Sequence, residues 1–258
     1  MKLFLSSLEI NYEFGPKVAQ KSQFVLMSFY YLQKNQRIKW LIDLMNERNK
    51  ADDFILDSGA FTFMNGKRAT EKQFDSYVNQ YIEFIKKYHI KRYVELDVDA
   101  LFGESKAFYY RNKLEKEIGY QCIPIWHKQR GIQSFKNDCK NYSYIGIGGL
   151  AVKDIKPSEY EKLKILTGYA NAHKTKVHAM GFTPSHEVHK FGFYSSDSSS
   201  WTSAKRFANI PYFDGSGIKT HKKPANTRMV ISKRTLISKI AYSEWCKYQK
   251  YVVKKGVV

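Results

Sequence analysis

The sequence has few cysteines and no long apolar run, and both shortages exclude classes of protein. Its three cysteines, Cys122, Cys139 and Cys246, are scattered and odd in number, which argues against a disulfide framework and indicates a reducing compartment. No apolar run approaches the roughly 18 residues that a membrane-spanning helix needs. The opening MKLFLSSLEI is interpreted as a first strand and not as a signal peptide. We therefore expect a cytoplasmic protein with no membrane partner.

Proline is also scarce, with 6 in 258 residues, and no stretch rich in Pro and Gly divides the chain. We therefore expect one domain over residues 1–258, which is long enough to bury a large core. Hydrophobic residues make up 43% of the chain and aromatic residues 16%, and this composition excludes a disordered protein.

Acidic residues are few compared with basic ones, at 24 against 43, so the net charge is +19. The excess is concentrated in residues 219–258, which hold eleven Lys or Arg and one acid, with tyrosines and Trp245 between them. A general lysine bias is one explanation, but such clustering favours a polyanionic partner. We therefore treat 219–258 as a basic C-terminal segment ending in a helix over about 231–255.

Short apolar runs alternate with longer amphipathic, lysine-rich stretches along the chain. Eight such runs are present: Leu3–Leu5, Phe54–Leu56, Tyr93–Leu96, Cys122–Trp126, Tyr144–Ile147, Val177–Met180, Phe193–Ser195 and Tyr212–Phe213. Helices are predicted at 31–48, 71–88, 104–118, 131–140 and 157–172. Eight strand–helix units in this length favour an α/β fold of the (β/α)8 TIM-like barrel type over an open doubly wound sheet.

Polar residues and glycines follow the ends of six runs, where barrel enzymes carry their chemistry. These residues are Asp57, Asp97, His127, Gly148 with Gly149, Gly181, and Asp197. Asp57 and Asp197 could simply cap the helices that follow them. As a pair, they also allow a two-carboxylate reaction at a sugar carbon, with one acid attacking and the other moving a proton.

Four segments, in order along the chain, resemble the tRNA-guanine transglycosylase superfamily. Asp57–Phe61 is similar to that family's Asp-Ser-Gly-Gly-Phe/Tyr segment, with Ala60 in place of the second glycine. Tyr144–Val152 resembles its Gly-Gly-Leu-Ala-Val segment, and His178–Gly181 resembles its Leu-Met-Gly segment. Phe193–Trp201 resembles the strand that carries the family's nucleophilic aspartate.

The resemblance implies a (β/α)8 barrel that exchanges guanine in a polynucleotide for a free 7-deazaguanine base, such as 7-cyano-7-deazaguanine, through a covalent glycosyl-enzyme. It implies Asp197 as nucleophile and Asp57 as general acid/base. Phe61 and Met180, next to Gly181, would sandwich the base, and Asp97 would bind its N1/N2 edge. The backbone of Gly148, Gly149 and Leu150 would bind the exocyclic groups. His127 would stand where the family has a glutamine.

One departure from the family concerns zinc. The tRNA enzymes carry a zinc subdomain with three clustered cysteines, whereas only Cys246 follows Asp197 here, so we expect no zinc subdomain, no metal and no cofactor. The chain thus resembles the compact phage and bacterial DNA transglycosylases (DpdA type), and a phage-encoded copy would act in the host cytoplasm. DNA is the expected polymer, with tRNA as the alternative.

Three functional hypotheses stay open at this point. They are a base-exchanging transglycosylase, a hydrolase (glycosidase or base-releasing glycosylase) on the same barrel, and a basic nucleic-acid-binding protein without catalysis. The expected phosphate contacts are Lys205, Arg206, Lys222, Lys223, Arg228, Lys233 and Arg234.

Overall fold

A computed structural model describes residues 1–60, 62, 70–184, 188–207, 209–221 and 234–256. The strands are β1 (Lys2–Ser6), β2 (Val25–Ser28), β3 (Phe54–Asp57), β4 (Ile125–Trp126), β5 (Tyr144–Ile147), β6 (Lys176–Ala179), β7 (Ser195–Ser198), β8 (Ile210–Phe213) and β9 (Ile218–His221). The helices are α1 (Pro16–Ala19), α2 (Phe29–Leu32), α3 (Lys39–Lys50), α4 (Glu71–Tyr88), α5 (Asp99–Phe102), α6 (Glu104–Ile118), α7 (Gly131–Asn141), α8 (Tyr160–Ala172), α9 (Ser203–Phe207) and α10 (Arg234–Lys255).

Seven strands form one curled parallel sheet in the order β3-β2-β1-β7-β6-β5-β4. Helices cover its outer face, so strands such as β5 are buried along their whole length and read as continuous apolar runs. Between the two edge strands lies segment 93–95, which forms one parallel bridge from Tyr93 to Leu56 and another from Val94 to Ile123. The fold is therefore mixed α/β, as expected, with a strongly curved parallel sheet.

The observed strands differ from the predicted set in several places. Tyr93–Leu96, predicted as a strand, forms single bridges instead of a regular strand, and β9 was not predicted. β2 was not predicted, because only Ser28 separates its apolar residues from those of α2, so the strand and the helix form nearly one apolar run. Tyr212–Phe213 was predicted as the last strand of the barrel, which is wrong, since these residues lie in β8, paired antiparallel with β9. The Asp214 carboxylate accepts hydrogen bonds from the backbone N–H groups of Ser216 and Gly217, and this turn reverses the chain into a hairpin.

The helix predicted over 31–48 is divided in the structure. α2 ends at Leu32, a 3-10 turn covers Gln33–Asn35, and α3 begins at Lys39. The helices predicted over 71–88 and 104–118 are confirmed without change.

Helix α10 packs along β1 and runs in the opposite direction. The Gln249 side-chain amide donates to the carbonyl oxygens of Leu3 and Phe24, and the Met1 amino group contacts the Gly256 carbonyl at 3.0 Å. The last turn of α10 therefore lies at the amino end of the sheet. Its aromatic residues Tyr242, Trp245 and Tyr248 are buried, so they belong to the core and not to a nucleic-acid surface.

All three cysteines are buried and unpaired. Among the helices in the described part of the chain, none is both long and apolar enough to cross a membrane.

Candidate active site

The residues predicted to carry chemistry meet at the carboxyl end of the curled sheet. Asp57 is the last residue of β3, His127 follows β4 and Gly148 follows β5. Asp197 is the third residue of β7, within the strand and not after it. Parallel strands bring their carboxyl ends to the same edge, and the structure therefore brings these residues together.

Asp197 is 8% exposed, and its side chain is held from three directions. The Gly181 N–H donates to Oδ1 at 2.6 Å, and His178 Nε2 lies 3.4 Å from the same oxygen. The Ser6 hydroxyl donates to Oδ2 at 3.3 Å. Gly181 has φ +61°, and a Cβ on it would lie 2.9 Å from the Ala151 side chain. This position therefore needs glycine to aim its N–H at the carboxylate.

Asp57 lies in a different environment. Burial, with a contribution from the nearby charges of Asp197 and Asp97, raises the pKa of Asp57 to about 7, against hydrogen bonds from the Gly59 N–H and the Ser28 side chain that lower it. Gly59 has φ +73°, and a Cβ on it would lie 2.6 Å from Tyr30 Cβ. The Asp57-Ser58-Gly59 sequence thus forms a tight turn, and it holds a carboxyl group that is partly protonated at neutral pH.

Asp97 and His127 form a pair, with Asp97 Oδ1 2.8 Å from His127 Nε2. Burial lowers the pKa of His127, but the hydrogen bond and charge of Asp97 outweigh that effect and raise it overall. A Cβ on Gly148 would lie 2.4 Å from His127 Cε1, so glycine at this position leaves room for the imidazole ring. The pair offers a hydrogen-bond acceptor and a donor side by side.

The other residues assigned to base binding have varied surroundings. The Gly148 N–H donates to the Trp126 carbonyl, and the Gly149 carbonyl accepts from Asp154, so these backbone groups are engaged within the fold. The Leu150 side chain is buried in the core. Met180 is partly buried and packs against apolar side chains inside the curve of the sheet. Phe61 lies outside the described residues.

Sequence reasoning missed three residues of this site, Glu9, Ser6 and His178. Glu9 is 2% exposed and follows β1. Its Oε1 accepts from the Ser28 N–H at 3.1 Å. Burial, with a contribution from Asp57, raises the pKa of Glu9 to about 7 against backbone hydrogen bonds that lower it. The sequence does show this residue as an acid shortly after the first predicted strand, at the same end of the sheet as the other acids.

Asp97, Asp99 and His127 are near enough for a shared cation, with ligand atoms within 4.8 Å of one another. However, Arg130 already binds both Asp99 oxygens, at 2.8 and 2.5 Å. A metal would have to displace or tolerate this guanidinium, so the donor set is a poor fit for one. The absence of a metal stays a prediction.

The predicted phosphate contacts are only partly described. Lys205 and Arg206 lie in α9, soon after β7, and Lys205 forms an ion pair with Glu13 at 3.0 Å. Arg234 is the exposed first residue of α10. The four remaining residues, Lys222, Lys223, Arg228 and Lys233, lie outside the described residues.

Comparisons with known proteins address the fold and not the chemistry. No protein-family model matches the chain, and no curated protein matches it. Among solved structures, a protein from Coccidioides immitis provisionally described as a fructose-1,6-biphosphate aldolase aligns over 100% of this chain and 92% of its own. The TM-score is 0.54 and the sequence identity 9%. At this identity the match shows a TIM-barrel-like α/β fold and nothing about substrates.

Proposed function

We propose that this protein is a base-exchanging transglycosylase that replaces guanine in DNA with a 7-deazaguanine base, through a covalent bond between Asp197 and the sugar. The observation that carries the proposal is the pair of contrasting carboxyl groups. Asp197 accepts hydrogen bonds from Gly181 and Ser6, whereas the raised pKa of Asp57 keeps a proton available near neutral pH. Two acids in different environments supply a nucleophile and a proton donor.

The proposed reaction has two displacement steps at the sugar C1′. An Asp197 oxygen forms a bond to C1′ as the bond to guanine breaks, and Asp57 gives its proton to the departing base. The incoming base then loses a proton to Asp57 and attacks C1′, which releases Asp197. Atoms and charge balance over the cycle because the second step reverses the first.

The Asp97–His127 pair supports recognition of a guanine-like ring. Asp97 can accept hydrogen bonds from the N1–H and N2–H edge. The raised pKa of His127 favours a ring protonated at both nitrogens, so that Nε2–H donates to Asp97 while Nδ1–H can donate to O6. The 2.8 Å contact between the two side chains fixes them relative to each other. Such preorganisation reduces the free energy needed to order the site when the base binds.

The proposal also includes closure of the curled sheet into a barrel. We propose that segment 93–95 acts as the remaining parallel strand of a closed (β/α)8 barrel without a zinc subdomain. The single bridges to Leu56 and Ile123 on either side of that segment support closure. A closed barrel would bring Asp57 and Asp97 from one side and Asp197 from the other around one opening.

DNA is favoured as the polymer by the net charge of +19 and by the basic segment 219–258. A base inside a duplex must be flipped out to reach acids at a barrel opening. Flipping costs a few kcal/mol, and phosphate contacts are a sequence-independent way to offset it.

The deciding experiment incubates the purified protein with guanine-containing DNA and isotope-labelled 7-cyano-7-deazaguanine, followed by mass spectrometry of the nucleosides. We expect label in DNA with the wild-type protein and none with Asp197→Asn. Asp53→Asn, the same substitution at the amino end of β3 where Asp53 pairs with Lys2, should leave incorporation intact.

Other outcomes would replace the proposal. Guanine release without incorporation would indicate a hydrolase, and label in tRNA but not in DNA would indicate the tRNA activity. Binding of DNA with neither product would indicate a non-catalytic nucleic-acid-binding protein.

A further inference from the structure

A row of buried polar side chains leads from Asp197 into the interior of the sheet. His178, in β6, is 1% exposed and pairs in register with Ser195 of β7. Its Nδ1 lies 2.7 Å from Ser195 Oγ, and its Nε2 lies 3.4 Å from Asp197 Oδ1. Ser195 Oγ in turn lies 2.5 Å from the Tyr144 hydroxyl. Four side chains are thus linked in one continuous series.

Apolar residues surround this series. Phe4, Val94 and Ile125 are buried in the same inner cluster as Tyr144, which is the composition expected inside a curled parallel sheet. A buried polar group in such a place is unfavourable unless its hydrogen bonds are made. The hydroxyls of Tyr144 and Ser195 and both ring nitrogens of His178 all have partners here.

The direction of the hydrogen bonds follows from the carboxylate end. A carboxylate only accepts, so His178 Nε2, 3.4 Å from Asp197 Oδ1, carries the proton in this contact. A neutral imidazole with its proton on Nε2 accepts at Nδ1, and the Ser195 hydroxyl therefore donates to Nδ1. The Ser195 oxygen in turn accepts from the Tyr144 hydroxyl.

We infer that Tyr144, Ser195 and His178 form a one-directional hydrogen-bond relay that positions the Asp197 carboxylate for attack on the sugar. The inference rests on the proposed function for the role of Asp197, while the relay itself is a property of the fold. Gly181 and Ser6 hold the two carboxylate oxygens at the carboxyl end of the sheet. The relay adds a contact from the interior of the sheet and so limits rotation of the carboxylate. His178 is therefore a positioning residue.

Two substitutions at His178 separate positioning from packing. In His178→Gln, the side-chain amide can reach the place of Nε2 and still donate to Asp197. In His178→Asn, the shorter amide stays near Ser195 and does not reach Asp197. Because hydrogen bonds to charged groups contribute about 1.5–3 kcal/mol, we expect His178→Asn to lower kcat for base exchange about 10- to 100-fold. KM should change less than about threefold, and His178→Gln should restore most of kcat.

A spectroscopic measurement tests the relay without any assay of activity. Nitrogen-15 NMR of the His178 ring, assigned by its loss in His178→Gln, should show a neutral imidazole with its proton on Nε2. In Ser195→Ala the Nδ1 resonance should shift towards that of a nitrogen without a hydrogen bond. Tyr194→Phe removes a hydroxyl from the ring that packs beside Tyr144 and serves as the control that leaves the spectrum unchanged.

A proton on Nδ1, or equal kcat losses in His178→Asn and His178→Gln, would overturn the relay. Failure of the wild-type protein to exchange bases would instead remove the proposed function, and the NMR result would still decide the direction of the hydrogen bonds.

Discussion

At the scale of single residues, Asp57 can act as a general acid only while its carboxyl group is protonated. Since burial raises the pKa of Asp57 to about 7, the protonated form that can assist guanine departure is lost as pH rises through that value. We expect single-turnover release of guanine to fall above pH 7 in the wild-type protein. Asp57→Asn should lower the release rate about 10²- to 10⁴-fold and remove this pH dependence. Quenched-flow measurements across pH 5.5–9 check both, and an unchanged profile in the variant would exclude Asp57 as the acid.

Glu9 affects stability as well as the site. Its pKa is raised from 4.5 in the unfolded chain to about 7 in the fold, so the fold favours the neutral carboxyl. The stability that this group contributes is fully present below pH 4.5 and is lost as pH rises to about 7.

We therefore expect Glu9→Gln to gain stability over the wild type between pH 4.5 and pH 8, by up to about 3 kcal/mol at 1.36 kcal/mol per pKa unit. Urea denaturation at several pH values measures this gain. Glu47→Gln, at an exposed glutamate of α3, should show no such trend. An equal shift in both variants would contradict the assignment to Glu9.

The sequence predicted residues of the candidate site only where they follow a recognisable apolar run. Asp57, Asp97 and His127 follow apolar runs, and a polar residue after a buried strand is visible without a structure. His178 lies inside a strand, and Ser6 ends one. Which of their side chains face the interior depends on the register between strands, and a single sequence does not encode that register locally.

At the scale of elements, a buried ion-pair network joins segment 93–95 to the helices around it. Glu95 accepts two hydrogen bonds from Arg111 of α6, at 2.6 and 3.0 Å, and one from Arg130. Glu95 Oε1 also accepts from the Ile125 N–H of β4 at 2.6 Å. The carboxylate thus supports the sheet at the place where bridges replace a regular strand.

Arg111→Met leaves Glu95 as a buried charge with a partner removed, and such a change costs about 3–5 kcal/mol. We expect that loss in the free energy of unfolding measured with urea. The double variant Glu95→Gln/Arg111→Met should recover part of it. Lys116→Met, on the exposed face of the same helix, is the matched control, and a loss as large there would argue against the network.

Most strands of the parallel sheet were predictable from their apolar runs, but Tyr93–Leu96, predicted as a strand, forms single bridges instead. β2 was missed because only Ser28 separates its short apolar run from that of α2. The antiparallel hairpin β8–β9 is encoded by the sequence Asp214–Gly217, whose side-chain and backbone hydrogen bonds form the turn. That turn signal was present in the sequence, but Tyr212–Phe213 was counted as the eighth strand of the barrel.

At the scale of the whole molecule, the direction of α10 places its last lysines at the end of the sheet opposite the proposed site. Helix α10 begins at Arg234, whereas Lys250, Lys254 and Lys255 lie in its last two turns, towards Met1 and away from Asp57 and Asp197. We therefore do not expect these three lysines to hold DNA over the proposed site, and we propose that basic residues of segment 219–234 do so.

Alanine at Lys222, Lys223 and Arg228 should therefore flatten the dependence of log affinity on log salt by about 2 to 3, at 0.7–0.9 per phosphate. Alanine at Lys250, Lys254 and Lys255 should leave the slope unchanged. Fluorescence anisotropy with a labelled oligonucleotide, titrated at several salt concentrations, gives both slopes. A change only in the second variant would place the DNA at the opposite end of the sheet.

The contact between Met1 and Gly256 has a consequence for rearranging the chain. Since residues 1 and 256 touch at 3.0 Å, a short peptide could join them, and new termini could be opened in the exposed turn between β8 and β9. Such a circular permutant would keep every strand of the parallel sheet intact. The joined ends would lie at the amino end of the sheet, opposite the acids, so sequence order could change while the geometry of the site stayed the same.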